Sequence, residues 1–332
     1  GVHRTFVFDN NITGNTSNWI AMTVGGSLMN MAAIFDDEPG TEQLEPYFTG
    51  AVMKYYSFIN KVTGGKDGGW GEGIGYNEYS FSNMSLNIPS LENVFNIDLS
   101  QPLDNSYNEY IWSGILKDRL YFHFGDAYKR LGPMTNWAFL LDAHKNSRLS
   151  WLYNFFKEGE TLNDVLFNTG NIVQDDPFDE SPSAVFRKIG TTVFKSGWEK
   201  NDFSFSMRTG AFFNHQHLDQ GSFMLSDRGV NFIEERHGST YYDDPLYQPS
   251  FIQPVSHSTI LINKNAQSQR TGDGYDFAPG LDDNAFIEQY LEGKDAAFSS
   301  GNIGRLYNGK IKELKRNVVF IKPRTLLMID EA

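Results

Sequence analysis

The chain changes its hydrophobic rhythm once. From residue 17 to about 158, apolar side chains recur at steps of three and four, the period that lines one face of a helix. Ile20, Val24, Leu28 and Met31 follow Ser17, a residue type suited to capping, and predict a helix that runs to Phe35. Further helices are expected at about 41–63, 106–125, 130–145 and 147–158. Gly-rich or Asn/Pro-rich connections separate them, notably Gly64-Gly65-Lys66-Asp67-Gly68-Gly69. Helix–loop–helix units with long connections predict stacked helical hairpins, although no sequence repeat is visible.

Near Asp175-Asp176-Pro177 and Ser181-Pro182-Ser183 the rhythm shortens to two. Short alternating or β-branched runs follow at Thr191–Phe194, Phe203–Met207, Gly221–Leu225, Val230–Ile233, Thr259–Ile262 and Val318–Ile321. Turn residues such as Asp227-Arg228-Gly229 punctuate them, and the last residues, Thr325 to Ala332, read as one more strand. Several short strands with regular turn signals predict an antiparallel β-sandwich. The chain thus reads as α+β and multidomain, with a helical region over 1–175 and a β-region over 184–332. Both ends read as cuts within a longer protein.

Composition narrows the chemistry. The 332 residues include no cysteine, which excludes disulfides, thiolate zinc sites and cysteine nucleophiles. A net charge of −13 without any Lys/Arg block argues against binding a phosphate backbone, which requires clustered cations. No apolar run approaches the roughly 18 residues of a spanning helix, so no membrane partner is expected. Aromatic residues make up 15% of the chain, enough both to build cores and to stack on sugar faces.

The densest chemical segment is Phe213-Asn214-His215-Gln216-His217-Leu218-Asp219-Gln220-Gly221-Ser222-Phe223. In an extended segment His215, His217 and Asp219 would share a face, a pattern suited to a divalent metal or to acid–base work. Glu234, Glu235 and His257 lie downstream. With Arg228-Gly229 as the turn, a straight hairpin pairs Glu234 with Phe223, which favours Glu234 over Glu235 as a ligand beside His217 and His257. A second cluster, Lys66-Asp-Gly-Gly-Trp70-Gly-Glu72-Gly-Ile-Gly-Tyr76-Asn-Glu-Tyr79, reads as a glycine loop opening a helix that presents Tyr76 and Tyr79. It lacks the Lys-Ser/Thr ending of a nucleotide loop. In Asn15-Thr-Ser-Asn18-Trp19, Asn18 starts a helix beside a tryptophan.

Together these features resemble the heparinase II/III-like polysaccharide lyases. The resemblance runs through Ser17-Asn18-Trp19, Asp67 to Tyr76, Phe124-Gly-Asp126, Ser196-Gly-Trp198, His215-x-His217-x-Asp219-x-Gly-Ser-Phe223, Tyr241/Tyr242 and His257-Ser-Thr. It implies an α/α toroid, here without its first helices, followed by an antiparallel β-sandwich. Glu234 stands where the family often has Asp, and Ser258 where Asn commonly follows the histidine.

The resemblance implies β-elimination on a uronic-acid-containing polysaccharide, a glycosaminoglycan or alginate. Asn18 would hold the uronate carboxylate, while Tyr76 and His215 would share the acid and base roles. Trp19, Trp70, Glu72, Tyr79, Arg236 and Tyr241 would contact substrate. His217, Glu234 and His257 would hold a divalent metal of mainly structural use, zinc first, with manganese or calcium as alternatives. The partner would be an acidic polysaccharide, with no nucleic acid and no membrane; oligomeric state is left open. A secreted or periplasmic setting is expected for the full-length protein, with the cytoplasm as the alternative. Three other readings stay open: a toroid glycoside hydrolase using paired carboxylates such as Glu72 and Glu78, a metallohydrolase built on His-x-His-x-Asp, and a non-catalytic glycan-binding protein.

Overall fold

Helix α1 (Trp19–Ile34) buries Ile20, Ala21, Val24, Gly25, Leu28 and Met31, the stripe that the three-and-four spacing demands. In the computed structural model it packs against α2 (Glu45–Val62) and α3 (Ile74–Phe95). The structure describes residues 16–35, 40–115, 120–127, 132, 134–167, 169–213, 215, 217–235, 242–265, 269, 285–307 and 310–332. The shorter helices α4 (Asn108–Ser113), α5 (Ala138–His144), α6 (Ser147–Phe156) and α7 (Leu162–Leu166) complete the helical region. Its core is strongly aromatic: Tyr55, Phe58, Trp70, Phe81, Tyr110, Trp137, Tyr153 and Phe156 are almost wholly enclosed. No described helix is long and apolar enough to cross a membrane.

The helix expected over 106–125 is cut short. After α4 the backbone turns extended at Gly114, and the chain forms a two-residue pair, β1 (Gly114–Ile115) with β2 (Leu120–Tyr121). Among the described residues, the helix expected at 130–145 comprises α5 and a preceding 3-10 turn at Thr135–Trp137.

Past a 3-10 turn at Thr169–Asn171, the chain builds two antiparallel sheets. The larger runs in sequence order: β3 (Ala184–Phe186), β4 (Thr191–Lys195), β5 (Ser204–Arg208), β6 (Phe223–Asp227) and β7 (Val230–Ile233). The smaller contains β8 (Phe286–Glu292), β9 (Ala296–Asn302), β10 (Lys315–Ile321) and β11 (Thr325–Glu331), each beside its sequence neighbour. Phe194 and Phe205 meet Ala297, Val318 and Phe320 across the sandwich, and Thr192 bonds Ser299 between the sheets at 2.9 Å.

Strands β4 and β5 are buried at every position, which a sandwich alone does not require. Side chains alternate across a strand, so the second face must also be covered. On that face Val193 packs with Phe122, Phe186 and Ile189, Thr191 bonds Glu109 of α4 at 3.0 Å, and the Lys195 ammonium reaches the Gly114 carbonyl at 2.6 Å. The large sheet therefore lies between the small sheet and the helical region.

The Thr259–Ile262 run is not a strand. Side chain–backbone bonds hold it instead: the Thr259 hydroxyl donates to the Gln220 carbonyl at 2.6 Å and the Tyr307 hydroxyl donates to the Ile260 carbonyl at 2.8 Å. Ile260 and Ile262 pack with Phe212, Ile303 and Leu306, so the alternation is real but serves a folded loop.

Candidate active site

Two loops and one helix end converge where the helical region meets the large sheet. The first loop is the glycine segment after α2. The Cβ of any larger residue at Gly71 would stand 2.4 Å from the Phe213 ring, so glycine there lets the loop lie against the histidine segment. Gly73, at φ +87°, then turns the chain into α3 and places Tyr76 in its first turn. The helix end is the start of α1, where the Asn18 backbone N–H donates to the buried Glu72 carboxylate at 2.9 Å. That bond ties the two helix starts together.

The histidine segment is a loop between β5 and β6, with His215 itself at φ +63°. It is not the extended strand that the spacing predicts. His215 and His217 still act together, because both reach one carboxylate. Asp126 Oδ2 lies 3.3 Å from His215 Nδ1, and Oδ1 lies 2.9 Å from His217 Nε2. The Tyr247 hydroxyl donates to both oxygens, at 3.1 and 2.9 Å. Burial alone would raise the Asp126 carboxyl. Hydrogen bonds from His215, His217 and Tyr247 outweigh it and hold the group at about 2.

Besides Asp126, three partners meet the His215 ring. The Tyr76 ring stacks on it, Asn18 Oδ1 lies 3.3 Å from Nε2, and the Tyr242 hydroxyl lies 2.8 Å from Nδ1. Tyr242 also meets the Tyr76 hydroxyl at 2.9 Å. Burial, the Tyr76 bond and the Asp126 charge push the Tyr242 hydroxyl well above its ordinary range, so it stays protonated. Asn18, Tyr76 and His215 are thus brought together as the resemblance implied, from elements up to 197 residues apart.

Other assignments need correction. Trp70 is wholly enclosed between Phe58 and Phe81, both edge-on to it, so its face is closed to a sugar. Glu72 is also buried and serves the start of α1. Trp19 and Tyr79 are half exposed. Arg236 and Tyr241 lie outside the described residues.

The proposed metal trio does not assemble around Glu234. That residue is exposed and bonds Asn231, whereas buried Glu235 bonds both Ser222 and His257 Nδ1. A β-bulge is the cause: Ser226 pairs with Asn231 but Leu225 with Ile233, so one extra residue on β7 reverses the faces beyond it. The His217 and His257 rings lie 5.2 Å apart, and His257 Nε2 is buried without a hydrogen-bond partner among the described residues. Two imidazoles with Glu235 have the donor types of a divalent-metal site. Among the described residues, however, no three such side chains converge on one point. Burial opposes the charge of His257, but the Glu235 carboxylate prevails and raises its pKa.

Asp126 and Tyr247 carry most of this geometry, yet spacing does not reveal them. Asp126 sits 89 residues from His215, and only the Phe124-Gly125-Asp126 turn hinted at it.

Residues 179–330 match the family described as heparinase II/III-like, C-terminal. The match lies within the β-region and covers less than half of the chain. No curated protein sequence matches the chain. Among solved structures it is similar to heparinase III, with a TM-score of 0.69 and 14% identity over 96% of this chain and 47% of that one. It is also similar to heparan sulfate lyase HepC from Pedobacter heparinus. A mutant of that lyase gives a TM-score of 0.64 at 17% identity, covering 99% of this chain and 48% of that one. A second HepC structure gives 0.61 at 17%, covering 99% and 47%. The chain spans about half the length of these structures. At such identities the shared property is the fold, helices followed by antiparallel sheets.

Proposed function

We propose that the chain carries the catalytic core of a polysaccharide lyase that cleaves a uronic-acid-containing glycosaminoglycan by β-elimination. The observation that carries the reading is the junction of Tyr76, His215 and Asn18 at the meeting of two regions, with Tyr76 and His215 stacked and Asn18 3.3 Å from the imidazole. Elimination removes the C5 proton, forms the C4–C5 double bond, breaks the C4–O4 bond and returns a proton to O4. It requires a base, an acid and donors for the charge that grows on the carboxylate. Tyr76 and His215 supply the two titrating groups, and the Asn18 amide supplies a donor to the carboxylate. A protonated Tyr242 at 2.9 Å would stabilise a Tyr76 phenolate.

Heparan sulfate is the first substrate to test, since two similar structures are of heparan sulfate lyase. The net charge of −13 leans instead toward less sulfated polymers, because sulfate is recognised by Arg and Lys clusters. A divalent ion, zinc first, would be held by His217, Glu235 and His257 and would fix the loops that carry them; no proton transfer depends on it here. The experiment is a panel of heparan sulfate, chondroitin, hyaluronan and alginate, read by the absorbance of the new double bond. His215→Ala and Asn18→Ala should abolish most of the signal. New reducing ends without absorbance would mean a hydrolase, and binding without cleavage a glycan-binding protein; either would overturn the reading.

A further inference from the structure

Side chains alternate along β10, so Arg316 shares the inward face of Val318 and Phe320, which pack in the sandwich core. A charge in that row costs free energy unless it is paired and hydrogen-bonded. Arg316, 5% exposed, meets both conditions. Asp330, its cross-strand partner on β11, accepts from Nε at 2.8 Å and from Nη2 at 2.9 Å, the two-pronged geometry that suits a guanidinium. Nη1 donates twice more, to the Gly221 carbonyl at 2.6 Å and to the Ser258 carbonyl at 2.8 Å. The Phe223 ring lies 5.6 Å from Cζ.

The two carbonyls belong to the segments that carry His217 and His257. Gly221, at φ +82°, lies in the turn that ends the histidine loop, and Ser258 directly follows His257. Side chains stitch these segments together: the Ser258 N–H donates to Ser222 Oγ at 3.0 Å, and the Thr259 hydroxyl donates to the Gln220 carbonyl. Arg316 adds a bond to each segment from the small sheet. Stability alone does not call for this arrangement, because apolar residues of similar volume often replace a buried ion pair at no loss. Such residues would leave the Gly221 and Ser258 carbonyls without this donor.

We propose that Arg316 is a positioning residue of the candidate site: seated on Asp330, its guanidinium locks the turn at Gly221 to the segment after His257 and so fixes how His217 and His257 face each other. The loop that it anchors also carries His215, so its loss displaces a group that moves the substrate proton. That last consequence rests on the lyase reading above; the clamp does not.

Arg316→Lys tests the assignment. It keeps the charge, but an ammonium is a single point and cannot span a carboxylate and two carbonyls as the fork does. Amide hydrogen exchange is the first measurement. The N–H groups of Gly221, Ser222 and Ser258 bond the Arg208 carbonyl, the Asp219 carbonyl and Ser222 Oγ, and their exchange should quicken about tenfold or more. Exchange in α1 and β4 should stay within about twofold of wild type. Asp330→Asn removes one of the two acceptors that seat the guanidinium and should give the same local pattern at smaller amplitude; it decides the matter if Arg316→Lys does not fold. On the polymer that the panel identifies, kcat should fall about 10–100-fold while KM moves by less than about threefold, as expected for a displaced catalytic group. Uniform quickening along the chain, or none at the three amides, overturns the proposal. So does local quickening in an active enzyme whose kcat is unchanged. Local quickening in a chain that eliminates none of the polymers upholds the clamp and sinks the lyase reading.

Discussion

The Tyr76 ring lies flat on the His215 imidazole, with centroids 3.5 Å apart and planes 4° from parallel. One ring comes from the first turn of a helix and the other from a loop between strands, so the stack is also a contact between the two regions. It holds the two titrating groups side by side without using either ring's polar atoms. The Tyr76 hydroxyl remains in hydrogen-bond reach of Tyr242, and both imidazole nitrogens keep their own partners.

Tyr76→Phe keeps the stack and removes only the hydroxyl. Melting should therefore stay close to that of wild type, within the ~1 kcal/mol that one partly exposed hydrogen bond contributes. Elimination, followed by absorbance of the unsaturated product, should fall about 10²–10⁴-fold. Near-normal rates would move the tyrosine role to Tyr242 or Tyr79.

The two neighbouring glutamates separate by substitution. If a divalent ion binds beside His217 and His257, Glu235→Gln lowers the metal content of the purified protein, and Glu234→Gln leaves it at the wild-type level. Elemental analysis decides, and the reverse order would place the bulge wrongly. Glu235→Gln should also lower the melting temperature in either case, since it breaks a buried pair with His257, a change that costs roughly 3–5 kcal/mol.

Lys195 gives stability a pH slope outside the site. Burial lowers its pKa from 10.5 to about 7, with the Gly114 carbonyl as hydrogen-bond acceptor and the Trp198 ring nearby. Between these two values the unfolded chain binds a proton that the folded chain does not. The Lys195 contribution to stability therefore rises with pH through that window, at up to about 1.4 kcal/mol per unit, and is flat on either side. Urea unfolding at pH 7, 8, 9 and 10 should show Lys195→Met losing ground to wild type as pH climbs. A constant difference between the two would mean that the ammonium finds water or a countercharge.

Legibility in the sequence followed locality. The stripe Ile20, Val24, Leu28, Met31 and the hairpin Val230–Ile233 after Arg228-Gly229 both declare themselves within a few residues, and both formed. The same hairpin misleads one step further on. A single bulged residue decides whether Glu234 or Glu235 faces inward, and nothing in Val-Asn-Phe-Ile marks the bulge. Ile260 and Ile262 alternate as a strand would, but a hydrophobic pocket uses them without any ladder. Trp70 looked like a sugar platform because an indole serves cores and ligands alike. Asp126 was silent for another reason: its importance lies in four partners, and the nearest in sequence is 89 residues away.

The double burial of β4 and β5 bears on what counts as a module. The recognisable family segment begins at residue 179, yet one wall of its central strands is finished by Glu109, Gly114 and Phe122 from the preceding part of the chain. Excised at that boundary, the segment would turn Val193, Phe186 and Met224 out to water, together with Lys195, which would lose the Gly114 carbonyl. The unit that evolution copies as a recognisable stretch and the unit that melts as one are then different lengths. Swapping this segment between relatives would require carrying the opposing helical surface along with it.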